Sequence, residues 1–379
     1  MDIARMRANF GKAAAAGDEA PLYFYSHLFL SHPETRQMFP VSMRHQRDRL
    51  FAALGEVVAL VDDVDALVPV LQQLGRDHRK FGTAAAHYPA VGASLLATLE
   101  HFDGDWDDEL AADWTTAYTL VADVMVAAAE QAAGQPPWWD AKVLTHEMHG
   151  HDIAVLQVQP QIALEHEAGQ SVSVETELRP RLWRYYSVAN APRPDGILEL
   201  HVQAQDGGPV SSALVRHVGV GDVLRLGPPV GRLTLEPRSE RDLLLVADGT
   251  GIAPLKALVD QVARHGPARR VDLFVGARTE ERLYDLPALR RTAAENPWLT
   301  VTPVVSQDER SELEQGDVAD VVARRGPWTN RDVYVAGSPR MVRSTRSQLV
   351  AGGVPEERIR TEAFSASRPG PSVEGKVSS

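Results

Sequence analysis

The stretch VLQQLGRDHRKFG, residues 70–82, carries a single histidine near the end of a helical pattern. Whether that imidazole is a core group or a metal ligand decides the fold of the first third of the chain. Leu71, Leu74, His78 and Phe81 fall at i, i+3, i+7 and i+10, so the histidine lies on the apolar face and points inward. Taken alone, a histidine so placed is ordinarily a hydrogen-bonded core residue. A stronger reading has to come from the residues around it.

The composition bounds that reading. The chain has 379 residues, 44% hydrophobic and 24% charged, which is ordinary for a soluble globular protein of two or three domains. It contains no cysteine. That excludes disulfides, thiol nucleophiles, thiolate zinc and cysteine-ligated iron–sulfur clusters, so any redox chemistry must come from a bound cofactor. A formal net charge of −12, with no block of Lys and Arg to reverse it locally, argues against nucleic acid as a partner. The N-terminal MDIARMRANFGKAAAAGDEA lacks a long apolar run before a cleavage site, and no stretch reaches bilayer length. The expectation is a cytoplasmic protein with no integral membrane segment.

Three textures follow one another. To about residue 132 apolar residues recur at helical spacing, and QPPWWD at 135–140 then breaks the pattern with two prolines. From about 141, short apolar-rich runs such as IAVLQVQ, SVSVETEL, ILELHVQA and DVLRLG alternate with Gly, Pro and Asp turns, which predicts an antiparallel barrel or sandwich. After about 236, DLLLVA, PLKALVDQVARHG, RVDLFVG and their successors alternate strand and helix, which predicts a parallel doubly wound sheet. The expected fold is multidomain: an all-α domain over 1–134, a β-barrel domain over 135–236, an α/β domain over 237–366, and a disordered tail over 367–379 rich in Ser, Pro and Gly.

Around His78 lies a spaced set. APLYFYSHLFLSHPETRQMFP (20–40) places Tyr25 with Leu22 and Phe29 on one helical face and ends in Phe39 before a proline; HQRDRLFAALGEVV aligns Gln46, Leu50, Ala53 and Val57; HYPAVGASLLATLEHF brings Tyr88. Together these residues resemble the haem pocket of the globin domain of bacterial flavohaemoglobins. The resemblance implies that His78 is the proximal ligand of a haem b iron, that Phe39 packs on the porphyrin, and that Tyr25 donates to bound oxygen beside Gln46 and Leu50. An iron held by one neutral imidazole keeps its sixth position open. Tyr88 fits the family's proximal tyrosine. For the glutamate that supports the histidine in the family, a gapless reading puts Ala129 at the expected place and Glu130 one residue late, a rotation of about 100 degrees on a helix. Either the helix shifts or this support is absent.

In RLWRYYSVANAP, Arg184, Tyr186 and Ser187 form an R-x-Y-S run, and in DGGPVSSALVRH, Gly208, Val210 and Ser211 precede a short helix. The pair resembles the flavin motifs of the ferredoxin–NADP reductase superfamily, in which the arginine meets the FAD pyrophosphate, the tyrosine and serine lie against the isoalloxazine, and the G-x-V-S turn receives the second phosphate contact. A guanidinium suits phosphate as a bidentate fork, and an aromatic ring gives the flat flavin a stacking face. In AGQSVSV (168–174) Ser171 replaces the family's aromatic residue. HEMHGHD (146–152) spaces its histidines three and two apart, unlike the four-residue spacing of a zinc helix, so His146, His149 and His151 are read as residues of a strand turn.

RDLLLVADGTGIAPLKALVDQVARHG is strand, G-x-G-x-x-P, helix: Gly249, Thr250 and Gly251 suit a tight turn around a pyrophosphate, and Pro254 suits the first helical turn. VYVAGSPRMV resembles the nicotinamide run of the same superfamily, with Gly337 and Pro339 kept and Ala336 in place of the usual cysteine. Phe364 matches the C-terminal aromatic that packs on the flavin. Arg278 and Arg282 follow the second strand, where a 2′-phosphate would be read, and the choice between NADH and NADPH stays open.

Haem, FAD and NAD(P)H in this order imply an electron route. A nicotinamide gives up a hydride and haem iron accepts one electron, so the flavin converts between them. The resemblance implies nitric oxide dioxygenation on O2 and NO by a monomer. Two alternatives are an NAD(P)H diaphorase or flavin reductase with weak dioxygenase activity, and a globin gas sensor or oxygen store.

Overall fold

The structure, a computed structural model, describes residues 1–265 and 269–364. The tail expected over 367–379 lies outside the described residues. The described chain divides into two compact units: Met1–Trp138 together with Pro180–Leu182, and Trp139–Arg179 together with the described residues from Trp183 to Phe364.

The first unit is helical: α1 (Ile3–Ala15), α2 (Glu19–Ser31), α3 (Arg44–Ala59), α4 (Val64–His78), α5 (Tyr88–His101) and α6 (Asp108–Gln131), with short 3-10 turns after α2 and α4. Asp63 opens α4 by accepting from the Ala66 N–H at 3.0 Å, and Asp107 opens α6 by accepting from Leu110 at 2.9 Å. Their packing is close. A Cβ on Gly75 of α4 would collide with the Met125 backbone of α6, so only glycine lets these helices touch here. One apolar cluster gathers Phe24, Tyr25, Leu28, Leu95, Leu99 and Trp114, with Phe29, Phe39 and Leu50 packed on its margin; a second gathers Leu67, Leu71 and Met125, with Leu74 and Tyr88.

The second unit begins with an antiparallel sheet of β1 (Trp139–His149), β2 (Ile153–Pro160), β3 (Ser171–Thr176), β4 (Arg184–Ser187), β5 (Leu198–Gln203) and β6 (Val223–Leu226), in the order β4-β3-β6-β1-β2-β5. A bridge between Val188 and Leu200 joins the end of β4 to β5 and closes the sheet into a barrel. A register shift between Val143 and Thr145 lets the long β1 bend. Helix α7 (Pro209–Arg216) packs on β5 and β3, and the His146 imidazole reaches its Leu214 carbonyl at 2.9 Å.

The same unit continues as a parallel sheet of β7 (Leu243–Asp248), β8 (Val271–Ala277), β9 (Leu299–Val305), β10 (Glu314–Gln315), β11 (Asp332–Gly337) and β12 (Ile359–Ala363), ordered β10-β9-β8-β7-β11-β12. Helices α8 (Ile252–His265), α9 (Leu286–Glu295), α10 (Val318–Arg325) and α11 (Pro339–Ala351) connect the strands. Strands β7, β8 and β11 read as largely apolar runs because both sheet faces are covered, by the cluster around Leu245, Leu258 and Tyr334 on one side and that around Val246, Phe274 and Val335 on the other. Strand order reverses between β7 and β11, and the loops after them therefore meet at the switch point, where doubly wound sheets bind ligands. No helix among the described residues is long and apolar enough to cross a membrane.

Candidate functional site

In the helical unit the structure collects the distal residues. Tyr25 is 4% exposed, with its ring 5.5 Å edge-on to Phe39 and 5.7 Å from Phe29. Its hydroxyl is 3.5 Å from the Gln46 carbonyl, too long for a strong hydrogen bond, so its proton is weakly committed; burial pushes the phenol well above its usual range, which keeps that proton in place. Leu50 and Phe39 complete an apolar surround. Leu22, expected on the Tyr25 face, is instead 51% exposed, because α2 buries the stripe through Phe24, Tyr25 and Leu28.

His78 closes α4 with its Nδ1 2.8 Å from the Leu74 carbonyl. That bond fixes the tautomer: Nδ1–H donates to the carbonyl, leaving the Nε2 lone pair available, and burial lowers the imidazole pKa so the ring stays neutral. This is the second-sphere arrangement of a metal-bound histidine, so the residues present fit a haem. Tyr88 shares the second apolar cluster with Leu74, and its backbone carbonyl accepts from the Tyr118 hydroxyl at 2.7 Å. Glu130, the sequence's candidate for proximal support, lies near the end of α6, exposed and with no side-chain hydrogen bond or ion pair among the described residues.

In the barrel, β4 presents the R-x-Y-S run. The Arg184 guanidinium donates to the Trp183 carbonyl at 2.9 Å, has no carboxylate partner among the described residues, and is pulled below its usual range by burial. A desolvated cation without an anion is a place for a phosphate, which fits FAD. Burial likewise raises the neighbouring Tyr186 phenol. Gly208 is the N-cap of α7, and Val210 and Ser211 lie within the first turn rather than ahead of it. Ser211 therefore does not cap the helix; its hydroxyl, in the third helical position, donates to the Gly208 carbonyl at 3.2 Å and accepts from the Gln205 N–H at 3.1 Å.

Ser171 is not an empty substitution. Its hydroxyl is 3.2 Å from that of Ser187 and donates to Glu362 Oε1 at 3.0 Å, so three polar groups from β3, β4 and β12 form one chain. Burial pushes the Glu362 carboxyl up to about 7, against the hydrogen bond from Ser171. The motif reading missed Glu362, since a glutamate on an edge strand has no distinguishing spacing.

At the switch point, Gly249–Gly251 forms a 3-10 turn into α8, with Thr250 at its centre and Pro254 in the first turn of the helix. A Cβ on Gly251 would collide with the Ala336 carbonyl, so the two loops touch through backbone. Gly337 adopts φ +150°, and a Cβ there would collide with Asp248 Oδ1. The Asp248 carboxylate accepts from the Ser338 N–H at 2.7 Å and hydroxyl at 2.5 Å, clasping the loop at the start of α11, where Pro339 follows Ser338. The Phe364 N–H donates to the Gly337 carbonyl at 2.8 Å. Sequence reading passed over Asp248; its place directly before G-x-G was the signal.

The two arginines after β8 separate. Arg278 is exposed at the strand end, whereas Arg282 is held bidentate by Asp152 of the β1–β2 turn at 2.5 and 2.7 Å. Arg282 is thus committed to a carboxylate. His146 lies within β1, His149 ends it and His151 lies in the β1–β2 turn.

The comparisons with known proteins agree with this architecture. The Globin family model matches residues 22–125, the Oxidoreductase FAD-binding domain residues 140–235, and the Oxidoreductase NAD-binding domain residues 245–347. The flavohemoprotein of Bordetella parapertussis is 28% identical across 92% of this chain and 94% of its own length. The chain has the domain composition and fold of a flavohaemoprotein. The crystal structure of the Malassezia yamatoensis flavohemoglobin, with bound FAD and haem, covers 95% of this chain and 97% of its own at a TM-score of 0.79 and 19% identity, a likeness of fold. The FAD/NAD-binding domain of the nitric oxide dioxygenase of Vibrio cholerae covers 60% of this chain and 99% of its own at a TM-score of 0.54 and 21% identity. With these three domains the chain is an oxidoreductase of NAD(P)H, FAD and haem, similar along its length to flavohaemoproteins.

Proposed function

We propose that this flavohaemoprotein is a nitric oxide dioxygenase, with O2 and NO as its small-molecule substrates and NAD(P)H as reductant. When bound, the haem supplies an iron with an open position for dioxygen, the FAD converts a hydride into single electrons, and the NAD(P)H supplies that hydride. The observation that carries the reading is the pairing in one helical unit of a neutral imidazole with a free Nε2, on His78, and a buried hydroxyl with a weakly committed proton, on Tyr25. The domain resemblance to the Vibrio cholerae enzyme points the same way.

Each residue then has a task. His78 would hold a haem iron through Nε2, with Leu74 fixing the ring. The Tyr25 hydroxyl would be the hydrogen-bond donor to a bound ligand, with Gln46 beside it and Phe39 and Leu50 excluding water. Tyr88 would pack near the histidine. Arg184 would neutralise the FAD pyrophosphate, Tyr186, Ser187 and Phe364 would contact the flavin ring, and Gly208, Val210 and Ser211 would form the turn for the second phosphate contact. Gly249, Thr250, Gly251 and Pro254, with Gly337 and Pro339, hold the dinucleotide, and Arg278 is the one of the two arginines left to meet a ribose substituent. The domain limits are those of 1–134, 135–236 and 237–366.

Aerobic NO consumption by the purified, haem-loaded protein with NADH or NADPH, measured with a nitric oxide electrode and with nitrate as product, tests the assignment. Haem-dependent consumption is expected; NAD(P)H oxidation with no such consumption overturns it. The exposure of Glu130 favours one second reading, a diaphorase with weak dioxygenase activity, because the proximal imidazole then has less push toward iron. Fast reduction of artificial acceptors with slow flavin-to-haem transfer would select it.

A further inference from the structure

A cluster of charged and polar side chains in the second unit lies outside every motif named above. Glu199 and His201 project from β5, Lys256 from α8, and Tyr284 and Asp285 from the segment between β8 and α9. His201 Nε2 is 2.9 Å from Glu199 Oε1 and its Nδ1 2.7 Å from the Tyr284 hydroxyl; the ring satisfies both by donating to the carboxylate and accepting from the phenol. The Lys256 ammonium donates to Glu199 at 2.8 Å and pairs with Asp285 at 3.2 Å. The side chains are 0% exposed at His201, 11% at Asp285, 14% at Glu199 and 25% at Lys256. Burial works against both charges, yet hydrogen bonds from His201 and the ammonium hold Glu199 well below the usual carboxylate range, and the two carboxylates raise Lys256.

Buried ion clusters rarely stabilise a fold more than apolar side chains of the same volume would, so their presence asks for a specific geometry to enforce. The geometry here has two ends. On the barrel side, the Glu199 carbonyl accepts from the Ala189 N–H at 2.8 Å, and Leu200 bridges to Val188, so β5 is tied directly to the continuation of the R-x-Y-S strand. On the other side, Lys256 is five residues beyond Gly251 on the helix that the G-T-G turn opens, and Tyr284 and Asp285 line a cavity with Gly249, Ile252, Gly276 and Arg282. The Arg282–Asp152 pair fastens the same segment to the barrel a second time.

We propose that the cluster of Glu199, His201, Lys256, Asp285 and Tyr284 holds the segment beside the G-T-G turn in register with the R-x-Y-S strand, and so sets the rate of hydride transfer from NAD(P)H to FAD. Its members are positioning residues that act through that segment and the G-T-G helix. Reacting atoms must be held within a few tenths of an ångström, and a misplacement of about 1 Å costs up to about a hundredfold in rate. The inference rests on the nicotinamide-to-flavin step of the proposed function.

The experiment is anaerobic stopped-flow reduction of the flavin in the full, FAD-loaded chain, with NADH and NADPH and with their 4-deuterated forms. Lys256→Met is expected to lower the limiting rate of flavin reduction by about tenfold or more, to enlarge the fraction of the deuterium isotope effect expressed, and to change the apparent nucleotide Kd far less. Lys256→Arg, which keeps the charge, is expected to recover most of the rate. Should Lys256→Met fail to fold because it leaves two carboxylates unpaired, the neutral triple variant Glu199→Gln, Lys256→Met, Asp285→Asn removes that repulsion and is expected to remain slow. A limiting rate within about twofold of the parent in either folded variant, or a loss confined to nucleotide Kd, overturns the proposal. A parent protein whose flavin neither nucleotide reduces overturns the proposed function instead.

Discussion

The haem pocket and the flavin–nicotinamide unit are built by opposite means. In the helical unit, the proposed function rests on a few isolated side chains, His78 and Tyr25 above all, the first oriented by one backbone carbonyl and the second held mainly by apolar rings. In the second unit it rests on backbone turns at Gly249–Gly251 and Gly337, and on hydrogen-bonded chains such as Ser187–Ser171–Glu362. An apolar pocket needs few polar groups because a single donor is strong where water is excluded. A site that grips phosphates needs many, and takes most of them from the main chain. The first kind should fail all at once when a side chain is lost, and the second by degrees.

The largest effect is therefore expected at His78. His78→Ala should abolish haem retention while the flavin band remains, read from the absorption spectrum of the purified protein. Normal haem occupancy in that variant would break the comparison at its root. Next is Gly337→Ala. The added methyl meets both an unfavourable φ and the Asp248 carboxylate, so flavin reduction by NAD(P)H should fall by about tenfold or more with FAD and haem content unchanged. Replacing Asp248 by alanine in the same protein should recover part of the rate, since it removes the collision and leaves the strain.

The same contrast explains what the sequence disclosed. Glycine turns were legible because a G-x-G between an apolar strand and an amphipathic helix has few other uses, and His78 stood out as a candidate because Tyr25, Phe39, Gln46 and Leu50 accompany it at family spacing. Glu199, Lys256, Asp285 and Glu362 were not, because nothing in a linear pattern separates a solvated charge from one that folding buries against an opposite charge far along the chain. Ser171 read only as a replacement for the family's aromatic residue, and its partner Glu362 came into view once β12 lay beside it. Arg278 and Arg282 were equal candidates for a 2′-phosphate until the β1–β2 turn supplied Asp152 to Arg282. Glu130 was an ambiguity of helical phase that spacing alone could not remove, and in the structure the side chain is exposed.

A milder change should separate ligand holding from ligand stabilisation within the pocket. Tyr25→Phe keeps the ring contacts with Phe29 and Phe39 and removes only the hydroxyl. Haem content should be unchanged, and oxygen should leave the reduced protein about tenfold faster, the equivalent of one hydrogen bond of about 1.4 kcal/mol. An unchanged dissociation rate, measured by rapid mixing with an oxygen scavenger, would show that the phenol serves packing alone.

The smallest expected effect lies at Glu362, and its sign is fixed by linkage. The folded carboxyl titrates near 7 and the unfolded one near its usual 4.5, so between those values the folded state keeps a proton that the unfolded state has lost. Stability contributed by this group is therefore highest below about pH 4.5, falls as pH rises, and is fully forfeited above about 7. Glu362→Gln keeps the shape and a partner for Ser171 but cannot ionise. The variant should match the parent near pH 5 and melt a few degrees higher near pH 8, followed by release of flavin fluorescence. A difference that stays flat between those pH values would mean that the carboxyl titrates normally and that the Ser187–Ser171–Glu362 chain is structural. A difference that grows with pH would show the flavin unit holding a proton that the haem pocket, with its neutral His78 and un-ionised Tyr25, has no need to move.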